Sequence, residues 1–119
     1  MQTTVGYYGT RDRLMERLKE PAPGRVQMLT GPRQVGKTTL LLEIARQWGD
    51  SAIYLALDSP EAALPGWWEI QVRRVIQIAQ AGKAVLLLDE VQYLPNWSRL
   101  VKSAIDQVFR ERLPLHIVI

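Results

Sequence analysis

The sequence predicts an α/β fold, in which parallel strands form one sheet with helices packed against it. Three observations support this prediction. Segments with strand-like and helix-like apolar spacing alternate along the 119 residues, which is typical of parallel strands joined by right-handed crossovers. Residues 84–88 are an unbroken apolar run, as expected of a strand covered on both faces. A loop rich in glycine and proline separates the first predicted strand from the helix that follows it.

Turn and capping residues delimit the predicted elements of the first half of the chain. Thr10 is a suitable N-cap for a short helix that ends at the Pro-rich residues 21–24. The elements that follow are a strand at 25–29, a helix from Lys37 to a stop at Gly49, and a strand at 52–57. One helical face carries the apolar residues Leu40, Leu41, Ile44, Ala45 and Trp48.

The second half continues the alternation with two helices and two strands. After a loop at 61–66, apolar residues at helical spacing run from Trp68 to Ala79 and stop at Gly82. The apolar strand at 84–88 comes next. Asn96 is a plausible N-cap for a helix whose apolar face extends from Trp97 to Val108. Residues 115–119 begin a fourth strand, and we expect a sheet cut off at about that point.

The overall composition is that of an ordinary soluble domain, with 47% hydrophobic and 23% charged residues. No apolar run approaches the length of a membrane span, and the N-terminus lacks a secretory signal. The absence of cysteine excludes disulfides and thiolate metal sites. The expected location is the cytoplasm. A net charge of +3 without a cluster of cations gives little support to nucleic-acid binding.

Residues 31–39, "GPRQVGKTT", match the phosphate-binding pattern G-x-x-x-x-G-K-[ST]. Gly31 and Gly36 permit a close approach of the backbone to an anion, and successive N–H groups then point into one concavity at the positive end of a helix. Lys37 is expected to reach the β- and γ-phosphates, Thr38 to offer its hydroxyl to Mg²⁺, and Thr39 to touch the α-phosphate. The predicted nucleotide-binding residues are Gly31, Pro32, Arg33, Gln34, Val35, Gly36, Lys37, Thr38 and Thr39.

Two adjacent carboxylates, Asp89 and Glu90, end the buried strand. In a sheet that carries a phosphate-binding loop, a second strand ends near the phosphates, and its terminal Asp helps to hold Mg²⁺ opposite the Ser/Thr. We assign this metal role to Asp89, together with Thr38. Glu90 is expected to point away from the metal and to accept a proton from an attacking water. Lys37 and Glu90 are therefore the candidate catalytic residues.

The segments "GPRQVGKTTLL", "LALDSPE" and "LLLDEVQYLPNW" resemble the AAA-domain ATPases of bacteria and archaea. Within the P-loop ATPases, these belong to the division with an additional catalytic glutamate and have a D-E-x-Q Walker B box. The resemblance implies a three-layer P-loop NTPase core at residues 25–119, after an N-terminal helical lead-in at 1–24. It implies ATP and Mg²⁺ as cofactors and ATP hydrolysis that drives a conformational change in a larger protein.

The resemblance also implies parts that this chain lacks. A polar sensor residue would follow the fourth strand, and an arginine finger would contribute about 10³ to 10⁵ in rate. We therefore expect a C-terminal region beyond Ile119 or a partner protein, with a homo-oligomer as another possibility, and turnover by this chain alone is doubtful. The alternative function is a nucleotide-gated interaction module with negligible turnover. A small GTPase fits less well because no N-K-x-D guanine reader occurs.

Several residues near the motifs have simpler interpretations. Gln92 matches the family's glutamine. It can couple the nucleotide state to a neighbouring element or be a plain loop residue, and the sequence favours neither interpretation. Tyr93, Leu94 and Trp97 are expected to pack in the core instead of stacking on bases. His116 is the only histidine and is not expected to bind a metal.

Overall fold

The computed structural model describes residues 2–4, 18, 26–29 and 36–119. The strands are β1 (Gln2–Thr4), β2 (Val26–Leu29), β3 (Ala52–Ala56), β4 (Ala84–Asp89) and β5 (Leu115–Val118). The helices are α1 (Lys37–Trp48), α2 (Trp67–Ala81) and α3 (Trp97–Glu111). Short 3₁₀ helices span Gly49–Ser51, Pro60–Ala63 and Val91–Tyr93.

The five strands form one parallel sheet in the order β1-β2-β5-β4-β3. β5 therefore lies between β2, which precedes the glycine-rich loop, and β4, which ends at the paired acids. In the register of the β3–β4 pair, Tyr54 is opposite Leu87 and Ala56 is opposite Asp89. The carboxyl ends of all five strands lie at the same edge of the sheet, where ligands bind in folds of this type.

The sheet is covered on both faces, and alternate residues of β4 contribute to two separate apolar clusters. Val85 and Leu87 pack with the buried face of α1, in a cluster that also contains Leu18. Leu86 and Leu88 face the opposite side and pack in the larger cluster, which includes residues of α2 and α3. All six residues of β4 are buried, because burial on both faces removes the alternation seen in a half-exposed strand.

The predicted α/β class with flanking helices is confirmed, and the predicted elements between residues 26 and 119 are present. The sheet has one more strand than the four predicted, since β1 pairs with β2. Of the helix predicted to start at Thr10, the structure describes only Leu18, which is helical and buried. The boundary proposed at residue 24 stays a prediction.

Asn96 is the N-cap residue of α3, as predicted, but its side chain makes no capping hydrogen bond and its backbone is left-handed with φ of 60°. One local prediction was wrong. Tyr93 does not pack in the core and is 59% exposed. Its neighbours Leu94 and Trp97 do pack against the larger cluster, as predicted. None of the helices in the described part of the chain is long and apolar enough to span a membrane.

Candidate functional site

Helix α1 begins at Lys37, directly after Gly36, the last glycine of the phosphate-binding pattern. Gly36 has φ of 113°, a backbone conformation that favours glycine, and its carbonyl accepts a hydrogen bond from the Leu40 N–H at 2.8 Å. Lys37 is half-buried, and Thr38 and Thr39 are exposed in the first turn. The remaining predicted loop residues, Gly31, Pro32, Arg33, Gln34 and Val35, lie outside the described residues.

Asp89 is the last residue of β4, and its side chain is on the sheet face that α1 covers. It is 2% exposed. The Thr38 hydroxyl donates a hydrogen bond to Asp89 Oδ2 at 2.7 Å across 51 positions of sequence. The fold therefore brings the start of α1 and the end of β4 into direct contact, as the sequence analysis required of the two motifs.

The second oxygen of Asp89 is available for a further ligand. Oδ1 is buried and has no hydrogen-bond partner among the described residues. A buried carboxylate oxygen normally has a partner, and one without needs an explanation such as an ion or a water. No group of three or more His, Cys, Asp or Glu side chains that could hold a metal occurs in the described ranges. Mg²⁺ sites are commonly completed by substrate phosphates and water, so such a site needs few protein ligands.

Tyr54 is a member of the site that sequence reasoning missed. Its hydroxyl donates a hydrogen bond to the same Asp89 Oδ2, also at 2.7 Å. Tyr54 lies on β3, where it is half-buried beside the cluster under α1. The available signal was its position: it is two residues before the residue paired with Asp89, on the same face of the neighbouring strand.

The surroundings of Tyr54 favour its protonated form. Burial raises the pKa of the Tyr54 hydroxyl above its ordinary value, and the hydrogen bond to Asp89 raises it further. The negative charges of Asp89, Asp58 and Glu90 act in the same direction. These negative charges disfavour loss of the proton, so the phenol stays a hydrogen-bond donor at neutral pH.

Glu90 lies just beyond the strand and has a left-handed backbone, with φ of 55°. This conformation is unfavourable for a residue with a long side chain, by about 1 to 3 kcal/mol, and such residues cluster at functional sites. The Gln92 side-chain amide donates a hydrogen bond to Glu90 Oε1 at 2.7 Å. Gln92 is thus in contact with the predicted base. The direction of the Glu90 side chain is set by the turn, because Glu90 lies beyond the end of the strand and no longer follows strand alternation.

A comparison with protein families provides the assignment. The profile described as "AAA domain" matches residues 23–119. The chain belongs to the AAA domain family. This result confirms the resemblance to AAA-domain ATPases, and membership implies nucleotide binding and ATP-related activity in general terms.

Curated relatives of this AAA domain are long proteins that it matches only in part. It is 34% identical to the ATPase family gene 2 protein homolog B of Mus musculus and 35% identical to that of Rattus norvegicus, each over 108 residues. These alignments cover 77% of this chain and 14% of each relative. The protein of the same name from Homo sapiens is 37% identical over 71 residues, which are 56% of this chain and 9% of that protein. No solved structure matches significantly.

Proposed function

We propose that this AAA domain binds ATP with Mg²⁺ and hydrolyses it, and that hydrolysis drives a conformational change in a larger protein. The observation that carries the proposal is the 2.7 Å hydrogen bond between Thr38 and Asp89. It joins the helix that follows the glycine-rich pattern to the acid at the end of β4. A hydroxyl and an acid in these two positions hold Mg²⁺ in P-loop nucleoside triphosphatases.

The residues at the start of α1 are suited to binding the phosphates. The helix N-terminus presents unpaired N–H groups and a partial positive charge. Lys37 adds a full positive charge in the first turn, within reach of phosphates placed at that terminus. We propose that residues 31–39 together bind the triphosphate, with Lys37 also stabilising the charge that develops on the transferred phosphoryl group.

The chemistry of the acid and the hydroxyl fits Mg²⁺. Asp89 offers the buried Oδ1, which lacks a partner among the described residues. The Thr38 hydroxyl donates a hydrogen bond to Oδ2, so that the lone pairs of its oxygen are available to a cation. Mg²⁺ prefers such oxygen ligands. When bound, the ion would neutralise charge on the β- and γ-phosphates, with Thr38 and Asp89 holding it.

Glu90 is proposed as the general base. Its carboxylate would take a proton from a water molecule as the water oxygen forms a bond to the γ-phosphorus. The bond from that phosphorus to the oxygen bridging the β-phosphate would break, giving ADP and inorganic phosphate. The left-handed turn at Glu90 and the hydrogen bond from Gln92 support this role, since both restrict where the carboxylate can lie.

The finer family position is also a proposal. Adjacent Asp89 and Glu90, followed by Gln92, favour the P-loop division with an additional catalytic glutamate and its D-E-x-Q box. The contact between Gln92 and Glu90 supports this reading, because it gives the glutamine of the box a defined partner.

The same contact favours a second candidate function, a nucleotide-gated interaction module. Gln92 and Tyr93 are exposed in the 3₁₀ helix Val91–Tyr93, so Gln92 connects Glu90 to surface residues that a partner can reach. A module of this kind would bind ATP, release little phosphate, and bind its partner in a nucleotide-dependent way. Measuring phosphate release beside nucleotide binding distinguishes the two functions.

Substitution of Lys37 and Glu90 tests the proposal. We expect Lys37→Ala to abolish measurable ATP binding, because the charge that meets the phosphates is lost. We expect Glu90→Gln to bind ATP normally but to lower turnover by about 10² to 10⁴-fold, the usual contribution of a general base. Nucleotide titration by calorimetry and a phosphate-release assay give the two measurements.

Two exposed residues of α3 provide matched controls for these variants. Lys102→Ala removes a lysine that is 76% exposed, and Glu111→Gln neutralises an exposed glutamate; both should behave like the parent protein. Turnover by Glu90→Gln at the parental rate would refute the role of Glu90. A parent protein that binds but does not turn over ATP would favour the gated module. The expected cytoplasmic location, C-terminal or partner region and homo-oligomer stay predictions.

A further inference from the structure

We propose that Tyr54 is a positioning residue for the metal-binding carboxylate: its hydroxyl holds Oδ2 of Asp89 so that Oδ1 is directed at Mg²⁺. This inference rests on the proposed function, since it concerns how Asp89 would hold the ion. It adds a residue that neither phosphate-site motif contains.

The sheet register brings the two side chains together. Asp89 is paired with Ala56, and side chains on one strand point to the same face at every second residue. Tyr54 is therefore on the face of Asp89, on the adjacent strand and displaced by two residues. A tyrosine side chain can span such a diagonal between neighbouring strands, and the 2.7 Å hydrogen bond results.

The two donors to Oδ2 come from different elements, Thr38 from α1 and Tyr54 from β3. A carboxylate held on one oxygen from two directions cannot rotate freely about its last side-chain bond. Oδ1 is consequently fixed in direction, and it is the oxygen without a partner among the described residues. Partners that orient a metal ligand in this way typically change metal affinity by 10 to 100-fold when they are removed.

Tyr54 has a distinct task once the nucleotide is bound. Thr38 is then shared between Asp89 and the ion, whereas Tyr54 is proposed to contact only the carboxylate. A phenol keeps its proton at neutral pH, so that Tyr54 remains a donor to the carboxylate. Tyr54 also attaches the site to β3, a strand that neither the glycine-rich loop nor the paired acids belong to.

The test compares Tyr54→Phe with the parent in the full chain. Phenylalanine keeps the ring and removes only the hydroxyl. We expect Tyr54→Phe to need at least about tenfold more MgCl₂ for half-maximal tightening of nucleotide binding. ATP binding with EDTA present should stay within about twofold of the parent, because the phosphate-binding residues are unchanged. Calorimetric titration of ATP at a series of MgCl₂ concentrations measures both quantities.

Two further variants distinguish the effect of the lost hydroxyl from the effect of altered packing and from a general effect of losing a tyrosine hydroxyl. Tyr54→Leu lacks the same hydroxyl but packs differently, so it should show the same Mg²⁺ shift and also preserves the test if Tyr54→Phe does not fold. Tyr93→Phe removes the hydroxyl of the 59% exposed tyrosine nearby and should match the parent in Mg²⁺ dependence.

The outcomes are distinguishable from failure of the proposed function. Absence of Mg²⁺-dependent ATP binding in the parent would refute the proposed function itself. Binding by the parent with an unchanged Mg²⁺ dependence in folded Tyr54→Phe would refute the positioning role alone. Equal weakening of ATP binding with and without Mg²⁺ would also refute it, because Tyr54 would then support the site only through packing.

Discussion

The carboxylate of Asp89 is held by two hydroxyl groups that come from positions 38 and 54, one from a helix and one from a strand. A side chain with 2% exposure needs such donors, because an ionised group without hydrogen bonds is costly to bury. The consequence at the scale of single residues is a site in which one oxygen is restrained and the other is available. Removing the hydroxyl of either donor would weaken the restraint on Oδ2.

Tyr54 should cause the unfolding free energy of the protein to fall at alkaline pH. Its pKa is raised in the folded protein, so the folded state retains the proton where the unfolded chain, with an ordinary value near 10, loses it. The stabilisation is therefore complete below about pH 10 and is lost as the pH rises above it. The free energy of unfolding should fall by at most about 1.4 kcal/mol per pH unit for one proton, and by less here because water screens a half-buried group.

Urea unfolding of the parent and of Tyr54→Phe between pH 8 and pH 11 measures this effect. The two proteins should differ most at pH 8 and converge as the pH rises, because the substitution removes only the contribution of Tyr54. A difference in unfolding free energy that stayed constant over this range would contradict the assignment.

At the scale of elements, α3 starts at the predicted N-cap residue but without the side-chain hydrogen bond that asparagine commonly makes there. Asn96 has a left-handed backbone, which asparagine tolerates better than most residues. Asn96 therefore stabilises the start of α3 through its tolerance of positive φ and not through a hydrogen bond of its side chain. A capping residue that tolerates positive φ less well should lower the unfolding free energy.

Substitutions of Asn96 can distinguish these causes. We expect Asn96→Gly to stay within about 0.5 kcal/mol of the parent in unfolding free energy, since glycine adopts positive φ without strain. Asn96→Ala and Asn96→Ser should each lose about 1 kcal/mol. If Asn96→Ser were as stable as the parent while Asn96→Ala was not, a side-chain cap would be present after all. Chemical denaturation provides the measurement.

The elements differ in how well the sequence predicts them. Helices α1 to α3 and strand β4 have strong local signals, because apolar spacing and terminal glycines depend only on neighbouring residues. β1 has three residues and no such pattern. The contact of Tyr54 with Asp89 depends on which strands are neighbours and in what register, and neither is encoded locally. The two motifs indicated Thr38 and Asp89 because their chemistry is tied to sequence spacing, whereas Tyr54 belongs to neither motif.

At the scale of the whole molecule, β4 lies between two apolar clusters and contributes side chains to both. Adjacent residues of this strand should therefore be equally important to stability. We expect Leu86→Ala and Leu87→Ala each to cost about 2 to 5 kcal/mol, since each leaves a cavity, one on either side of the sheet. Leu42→Ala, at a leucine that is 46% exposed, should change the unfolding free energy by no more than about 0.5 kcal/mol.

Equilibrium unfolding in urea checks this prediction for all three variants. If either Leu86→Ala or Leu87→Ala behaved like Leu42→Ala, one face of the sheet would be open to solvent and the three-layer arrangement would be wrong.

The position of β5 has a consequence for how the protein is made. β5 separates β2 from β4 in the sheet, yet it is the last of the five described strands along the chain. A ribosome therefore releases the loop residues and the paired acids before the strand that sets their spacing has been synthesised. Until β5 has joined the sheet, the glycine-rich loop and the paired acids cannot take up the spacing that a shared ligand needs.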